Sequence, residues 1–193
     1  MKHKKGILPL LLGSALILSG LCLLLFFHFR GYRGDKQTAA VVSQMETLLP
    51  EPSKGTPGLS ADSRMPILEI DNRDYVALVE VPAYEIKLPV ADLWDSQALH
   101  TAPARFHGSA YDGSLVIGGA DRDGQFAFCS QVDLDAAVIV TDMTGVQYTY
   151  RVSRVDRADE ASAQWLMAEA FDLTLYCRDA TSLEYVAVRC TYA

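Results

Sequence analysis

The chain carries two different hydrophobic rhythms. Near its start lies one unbroken apolar run, ILPLLLGSALILSGLCLLLFFHF over residues 7–29, with no Asp, Glu, Lys or Arg. As a helix these 23 residues reach roughly 35 Å, enough for a bilayer core of about 30 Å. Basic residues precede the run, as they do in a signal peptide, but a signal peptide's apolar region is usually shorter. No small-x-small cleavage pattern follows FFHFRGYRG. The pattern predicts an uncleaved single transmembrane helix over 7–29, with residues 1–6 as a cytoplasmic tail.

The next stretch, KQTAAVVSQMETLL (36–49), sets Ala, Val, Met and Leu at roughly helical intervals. PEPSKGTPGLSADSR (50–64) is rich in Pro, Gly and Ser, so residues 30–64 read as a helix followed by a flexible stalk. From Met65 the period shortens. DYVALVEVP and YEIKLPV are strand-like, GSLVIGGA is a short buried run, and AAVIVTDMTGVQYTYRVSRV is a hairpin about Thr144-Gly145. ADEASAQWLMAEA (158–170) has helical character, and FDLTLYC and EYVAVRC close the chain as two more strands. Seven or eight short strands with one or two short helices predict a mainly β domain over 65–193, built as a closed barrel.

Charge changes the picture of where this domain works. Lys2, Lys4 and Lys5 lie before the apolar run, while Arg30, Arg33 and Lys36 follow it, so flanking charge barely orients the span. Residues 65–193 hold 9 Lys/Arg against 20 Asp/Glu, a poor match for nucleic acid. The expectation is a soluble domain outside the membrane and a cytoplasmic N-terminus. Cys22 falls in the apolar run, and the spacing of Cys129, Cys177 and Cys190 suits neither a zinc site nor a small disulfide scaffold. DRDGQF (121–126) sets Asp121 and Asp123 beside Gly124, faintly like the start of a calcium loop, but lacks the later ligands. It reads as an acidic turn, and no metal or cofactor is expected.

Four segments, in order and with the right spacing, resemble the sortases, membrane-anchored cysteine transpeptidases of Gram-positive surfaces, and look closest to the class B-like members. YVALVEVPAYEIKLPV is similar to a pair of strands ending in Leu-Pro-Val, and APARFHGSAYDGSLVIGG to the segment leading into the strand that bears the catalytic histidine. VIVTDMTGVQYTYRV resembles the central hairpin, and DLTLYC with VAVRC the last two strands. The resemblance implies a barrel in which a cysteine attacks a sorting-signal peptide, a histidine handles protons and an arginine steadies the oxyanion. Chemistry explains the division of labour, since a thiolate attacks far better than a thiol and a tetrahedral intermediate needs a donor for its oxygen.

The scaffold carries over better than the chemistry. The histidine of V-I-x-G-H falls on Ala120, which cannot move a proton. Aligned without a gap, T-L-x-T-C places Cys177 where the threonine belongs and Arg178 where the nucleophile belongs. Side chains alternate along a strand, so Cys177 shares the face of Leu173 and Leu175, the core side, and Arg178 shares the face of Thr174 and Tyr176. The arginine before V-x-V falls on Tyr185, while Arg189 lies on the same face about 13 Å further along. His107, thirteen residues before Ala120, is the one candidate to reach the cleft in place of that histidine, and its plainer reading is a surface or turn residue in FHGS; His100 is no better placed. Cys190 matches a cysteine common after the last strand and reads as structural.

Trp165, Tyr176 and Tyr185 are candidates for a peptide groove, and their plainer reading is packing of the late helix and half-buried strand positions. The leading expectation is a membrane-anchored, extracytoplasmic, sortase-like protein with impaired catalysis. It holds a sorting-signal peptide or a surface- or pilus-assembly partner. The competing expectation is an active transpeptidase that uses Cys177 to attach surface proteins to cell wall or pili.

Overall fold

The computed structural model describes residues 16–21, 36–56, 64–95, 99, 101–167 and 171–193. The chain divides into two compact units, Met1–Gln37 and Thr38–Ala193. Of the expected anchor only 16–21 is described, and it is helical; the rest of 7–29 lies outside the described residues. Among the described residues no helix is long and apolar enough to cross a membrane.

Among the described residues the second unit has ten strands: β1 (Ser53–Lys54), β2 (Leu68–Ile70), β3 (Arg73–Val81), β4 (Ile86–Ala91), β5 (Ala104–His107), β6 (Leu115–Gly118), β7 (Ala137–Asp142), β8 (Val146–Ala158), β9 (Leu173–Arg178) and β10 (Tyr185–Tyr192). Eight of them close on themselves in the order β3-β4-β5-β6-β9-β10-β8-β7 and back to β3. All pairs are antiparallel except β4-β5 and β6-β9. Closure removes the sheet edges that would otherwise stay unpaired. β2 and β1 add on outside, β2 to β3 through a two-residue turn and β1 to β8 in parallel. That turn, Asp71-Asn72, has both residues at positive φ (52° and 61°), which short polar side chains tolerate and a tight hairpin requires.

At the β7-β8 turn, Asp142 accepts hydrogen bonds from the Thr144 amide (2.8 Å), the Thr144 hydroxyl (2.6 Å) and the Val146 amide (3.0 Å). Tyr111 donates its phenol to the other carboxylate oxygen at 2.7 Å, so this buried carboxylate is fully satisfied. Gly145 sits at φ 82° against the Pro50 carbonyl, a conformation and a closeness that favour glycine.

Three apolar layers follow from strand alternation. Inside the barrel lie Val79, Leu88, Ile117, Val140, Tyr150, Leu175 and Val188, among others. Outside, against β3, β4 and β5, the 36–48 helix buries Val41, Val42 and Met45 on Tyr75, Leu78 and Ala91. β3 is therefore covered on both faces, and it reads as a continuous apolar run because of it. A third cluster, Val116, Leu166, Tyr176 and Ala187, covers the outer face of β6, β9 and β10.

Two expectations change here. The helix and part of the segment read as stalk belong to the folded body, because Met45 is fully buried and Ser53 and Gly55 hydrogen-bond to Gly145 and Gln147. The helix expected over 158–170 is described only at Ala163–Leu166, since β8 runs on through Ala158 and residues 168–170 lie outside the described set. Ser162 starts that turn, accepting from the Trp165 amide at 3.1 Å.

Candidate functional site

The parallel pairing of β6 with β9 sets Gly118 level with Tyr176, and the Gly119 amide donates to the Tyr176 carbonyl at 2.9 Å. The ends of both strands therefore rise together, carrying Ala120 and Arg178 to one rim. Antiparallel pairing brings Tyr185 opposite Arg178. The three positions that the resemblance marks as catalytic are thus gathered in one place, and they hold a methyl group, a guanidinium and a phenol.

Cys177 is one residue earlier and faces the other way. It is 1% exposed, lies in the barrel interior with Leu173 and Leu175, and its thiol donates to the Phe126 carbonyl at 3.5 Å. Arg178 is exposed; its Nε donates to the Leu183 carbonyl (3.1 Å) and its guanidinium lies 5.8 Å from the Tyr185 ring centre. Ala120 is held by its backbone, donating to Gln125 Oε1 (2.6 Å) and accepting from the Phe126 amide (3.1 Å). Cys190 is also buried, and that burial pushes its thiol up to about 12.

Asp121 spends one oxygen on the Ala180 amide (2.7 Å), tying the turn after β6 to the turn after β9. Among the described residues no group of three or more metal-ligating side chains is gathered anywhere. Asp179 holds its own turn. Backbone amides of Ser182 (3.1 Å) and Thr181 (2.7 Å) keep its carboxyl below the ordinary value, and Arg157 adds to this. A depressed carboxylate contributes stability above its unfolded pKa of about 3.9, and loses it as pH falls through the lower folded value. Hydrogen exchange across an acid titration is expected to show the Thr181 and Ser182 amides losing protection below about pH 4. Asp179→Asn is expected to remove that pH dependence.

The outer face behind the rim is filled by aromatics. Tyr176 stacks on Trp94 (ring centres 5.6 Å apart, 20° between planes), and Phe106 meets both edge-on at 5.8 and 5.6 Å. Burial raises the Tyr176 phenol above its ordinary value, with Tyr185 adding to the effect. Gly118 makes room for this trio: a Cβ there would stand 2.7 Å from a Tyr176 ring carbon and closer still to Trp94. Gly118→Ala is expected to displace Trp94 and cost about 1–3 kcal/mol. Urea melts measure the loss, and Trp94 emission in a Trp165→Phe background measures the displacement.

Further down the same face, Arg189 pairs in register with Thr174 and is 1% exposed. It donates to the Leu166 carbonyl (2.9 Å), the Trp165 carbonyl (2.5 Å) and the Thr174 hydroxyl (3.1 Å), and pairs with Asp156 at 3.1 Å. Its guanidinium lies 4.9 Å from the Trp165 ring centre and 5.6 Å from that of Phe171. Trp165 is thereby placed as packing over an arginine, and Arg189 is engaged with the wall formed by Trp165, Leu166 and Phe171. His107, exposed at the end of β5, pairs with Val116, four residues or about 13 Å before Ala120. Arg189 stands the same distance from the rim, level with Thr174 rather than Arg178. His100 lies outside the described residues. Beside His107 a pocket of about 340 Å³ opens, with Leu115, Val116, Leu166 and Phe171 as apolar lining and Ser114 and Thr174 as hydroxyls.

Sequence reasoning missed Trp94 and Phe106. The one signal for an inserted ring was the Gly118-Gly119 pair, which leaves space above a strand.

No family model matches the chain, and no curated protein sequence matches it. Solved structures do. Sortase A from Corynebacterium diphtheriae is 17% identical, with 63% of this chain and 61% of that one covered and a TM-score of 0.54. Sortase C1 from Streptococcus agalactiae is 16% identical, covers 65% and 70% of the two chains and also scores 0.54. A Clostridium perfringens sortase D5 transpeptidase is 14% identical over 62% and 79%, with a TM-score of 0.53. The chain thus spans about three fifths of the diphtheria enzyme's length. The fold is a sortase-like closed β-barrel. These neighbours are of classes A, C and D, so the likeness sits at the level of the fold and not of one class.

Proposed function

We propose that this chain is a sortase-like binding module that does not carry out transpeptidation. It holds an extended peptide of the sorting-signal kind, or the matching segment of a surface- or pilus-assembly partner, with an apolar side chain seated in the pocket beside Val116 and Leu166. One observation carries the reading: the Cys177 thiol points into the barrel interior while the rim positions are Ala120, Arg178 and Tyr185. Without a thiol at the rim no thioester can form there, and alanine supplies neither a general base nor a general acid. The pocket beside Val116 and Leu166 offers an apolar floor with a few hydroxyls, a composition that suits an apolar side chain of an extended peptide. The 7–29 run is the proposed anchor, with the acidic barrel domain on the extracytoplasmic side.

The test uses the full chain in detergent micelles and fluorescently labelled sorting-signal peptides. Saturable anisotropy is expected for the wild type, with loss of at least tenfold in affinity for Met167→Trp, which fills the pocket. Absence of binding across a panel of such peptides, or binding untouched by Met167→Trp, overturns the reading.

A further inference from the structure

The inward turn of Cys177 brings it to a second thiol. Cys129 sits in the 3-10 turn Ala127–Ser130, directly above the end of β9. The Phe126 carbonyl accepts from both residues at once, from the Cys129 amide at 3.0 Å and from the Cys177 thiol at 3.5 Å. Both side chains belong to the same interior cluster. Cys129 is 0% and Cys177 1% exposed. Cys190 shares the cluster but not the position. Cys177 is opposite Val186 on β10, and Cys190 lies four residues further, about 13 Å along the strand. A disulfide needs Cα atoms roughly 4.4–6.8 Å apart, so Cys190 is out of reach of Cys177.

We propose that Cys129 and Cys177 are a built-in cross-link site that becomes an intramolecular disulfide when the chain folds in the presence of a disulfide donor. The inference does not depend on peptide binding. The donor is a small-molecule or oxidoreductase disulfide, RSSR. One protein thiolate attacks it, forming a mixed disulfide and releasing one RSH after protonation. The second protein thiolate then attacks the protein-bound sulfur and releases the other RSH. Two protein thiols are oxidised and one RSSR is reduced to two thiols. Exchange takes place before the 3-10 turn closes, because the folded barrel excludes the reagent and burial holds the Cys129 thiol well above its ordinary pKa. Once formed, the bond is sealed from reductants by the same burial. It joins the segment carrying Ala120 to the strand that ends in Arg178, fixing the rim from beneath.

The full chain is unfolded, refolded with oxidised and reduced glutathione, alkylated and digested without reduction. Mass spectrometry is expected to find one peptide pair linking Cys129 to Cys177, two hydrogens lighter than the separate peptides, with Cys190 alkylated. The oxidised protein is expected to melt several degrees above the reduced one. That difference disappears in Cys129→Ser and persists in Cys190→Ser. Alkylation of both Cys129 and Cys177 after oxidative refolding, or a link through Cys190 instead, overturns the proposal. The peptide map of the wild type decides this even if a serine variant fails to fold.

Discussion

Cys177→Asp is expected to unfold the barrel in the reduced protein, while Arg178→Cys leaves it folded. Cys177 is 1% exposed and surrounded by the interior cluster, so a carboxylate there is desolvated without a partner. The cost is several kcal/mol, of the same order as the roughly 5–15 kcal/mol that holds an entire domain folded. Arg178→Cys removes an exposed side chain, one hydrogen bond to the Leu183 carbonyl and one contact with the Tyr185 ring. That change is worth about 1 kcal/mol or less. Urea melts followed by circular dichroism report both. A nucleophile lining an open cleft gives the reverse order, with position 177 tolerant of charge.

Arg189→Met carries the second large effect. The guanidinium binds the Leu166 and Trp165 carbonyls, the Thr174 hydroxyl and Asp156, and it is enclosed by the rings of Trp165 and Phe171. Removing it leaves buried carbonyls without a donor and takes from Asp156 one of its two arginine partners, the other being Arg154 at 2.7 Å. Breaking a buried, hydrogen-bonded charge network costs about 3–5 kcal/mol. The wall loosens first, so hydrogen exchange at the Leu166 and Met167 amides accelerates before the barrel melts. Arg189→Lys does not restore it, because an ammonium cannot span two carbonyls and a hydroxyl in the planar geometry of a guanidinium. An arginine kept free to meet an oxyanion predicts no such loss of stability.

Local rules carried the reading of the barrel a long way. The alternation in LTLYCR predicted that Cys177 faces inward with Leu175, since period two leaves no other choice once the leucines are buried. The Thr144-Gly145 hairpin was legible from its glycine and flanking strands. Features set by distant partners were not. Thr38 donates to the Thr101 carbonyl across 63 residues, and nothing near KQTAAVVSQMETLL shows that its apolar face has a barrel to cover. Trp94 is equally silent in sequence, because the glycine that admits it lies on a different strand. Arg189 sits among valines in VAVRC and gives no sign that a backbone wall will bury it. The resemblance located the rim; three-dimensional pairing was needed to show which residues stand on it.

A rim without a nucleophile forms no acyl-enzyme, and mass spectrometry reads that absence. The full-length reduced chain is incubated with a panel of sorting-signal peptides, with and without an amine acceptor, quenched in acid and analysed by intact and peptide mass spectrometry. Cys177 is expected to be recovered as an unmodified thiol, with no peptide–amine product. An acyl thioester on Cys177, or turnover abolished by Cys177→Ala in a variant that stays folded, contradicts it.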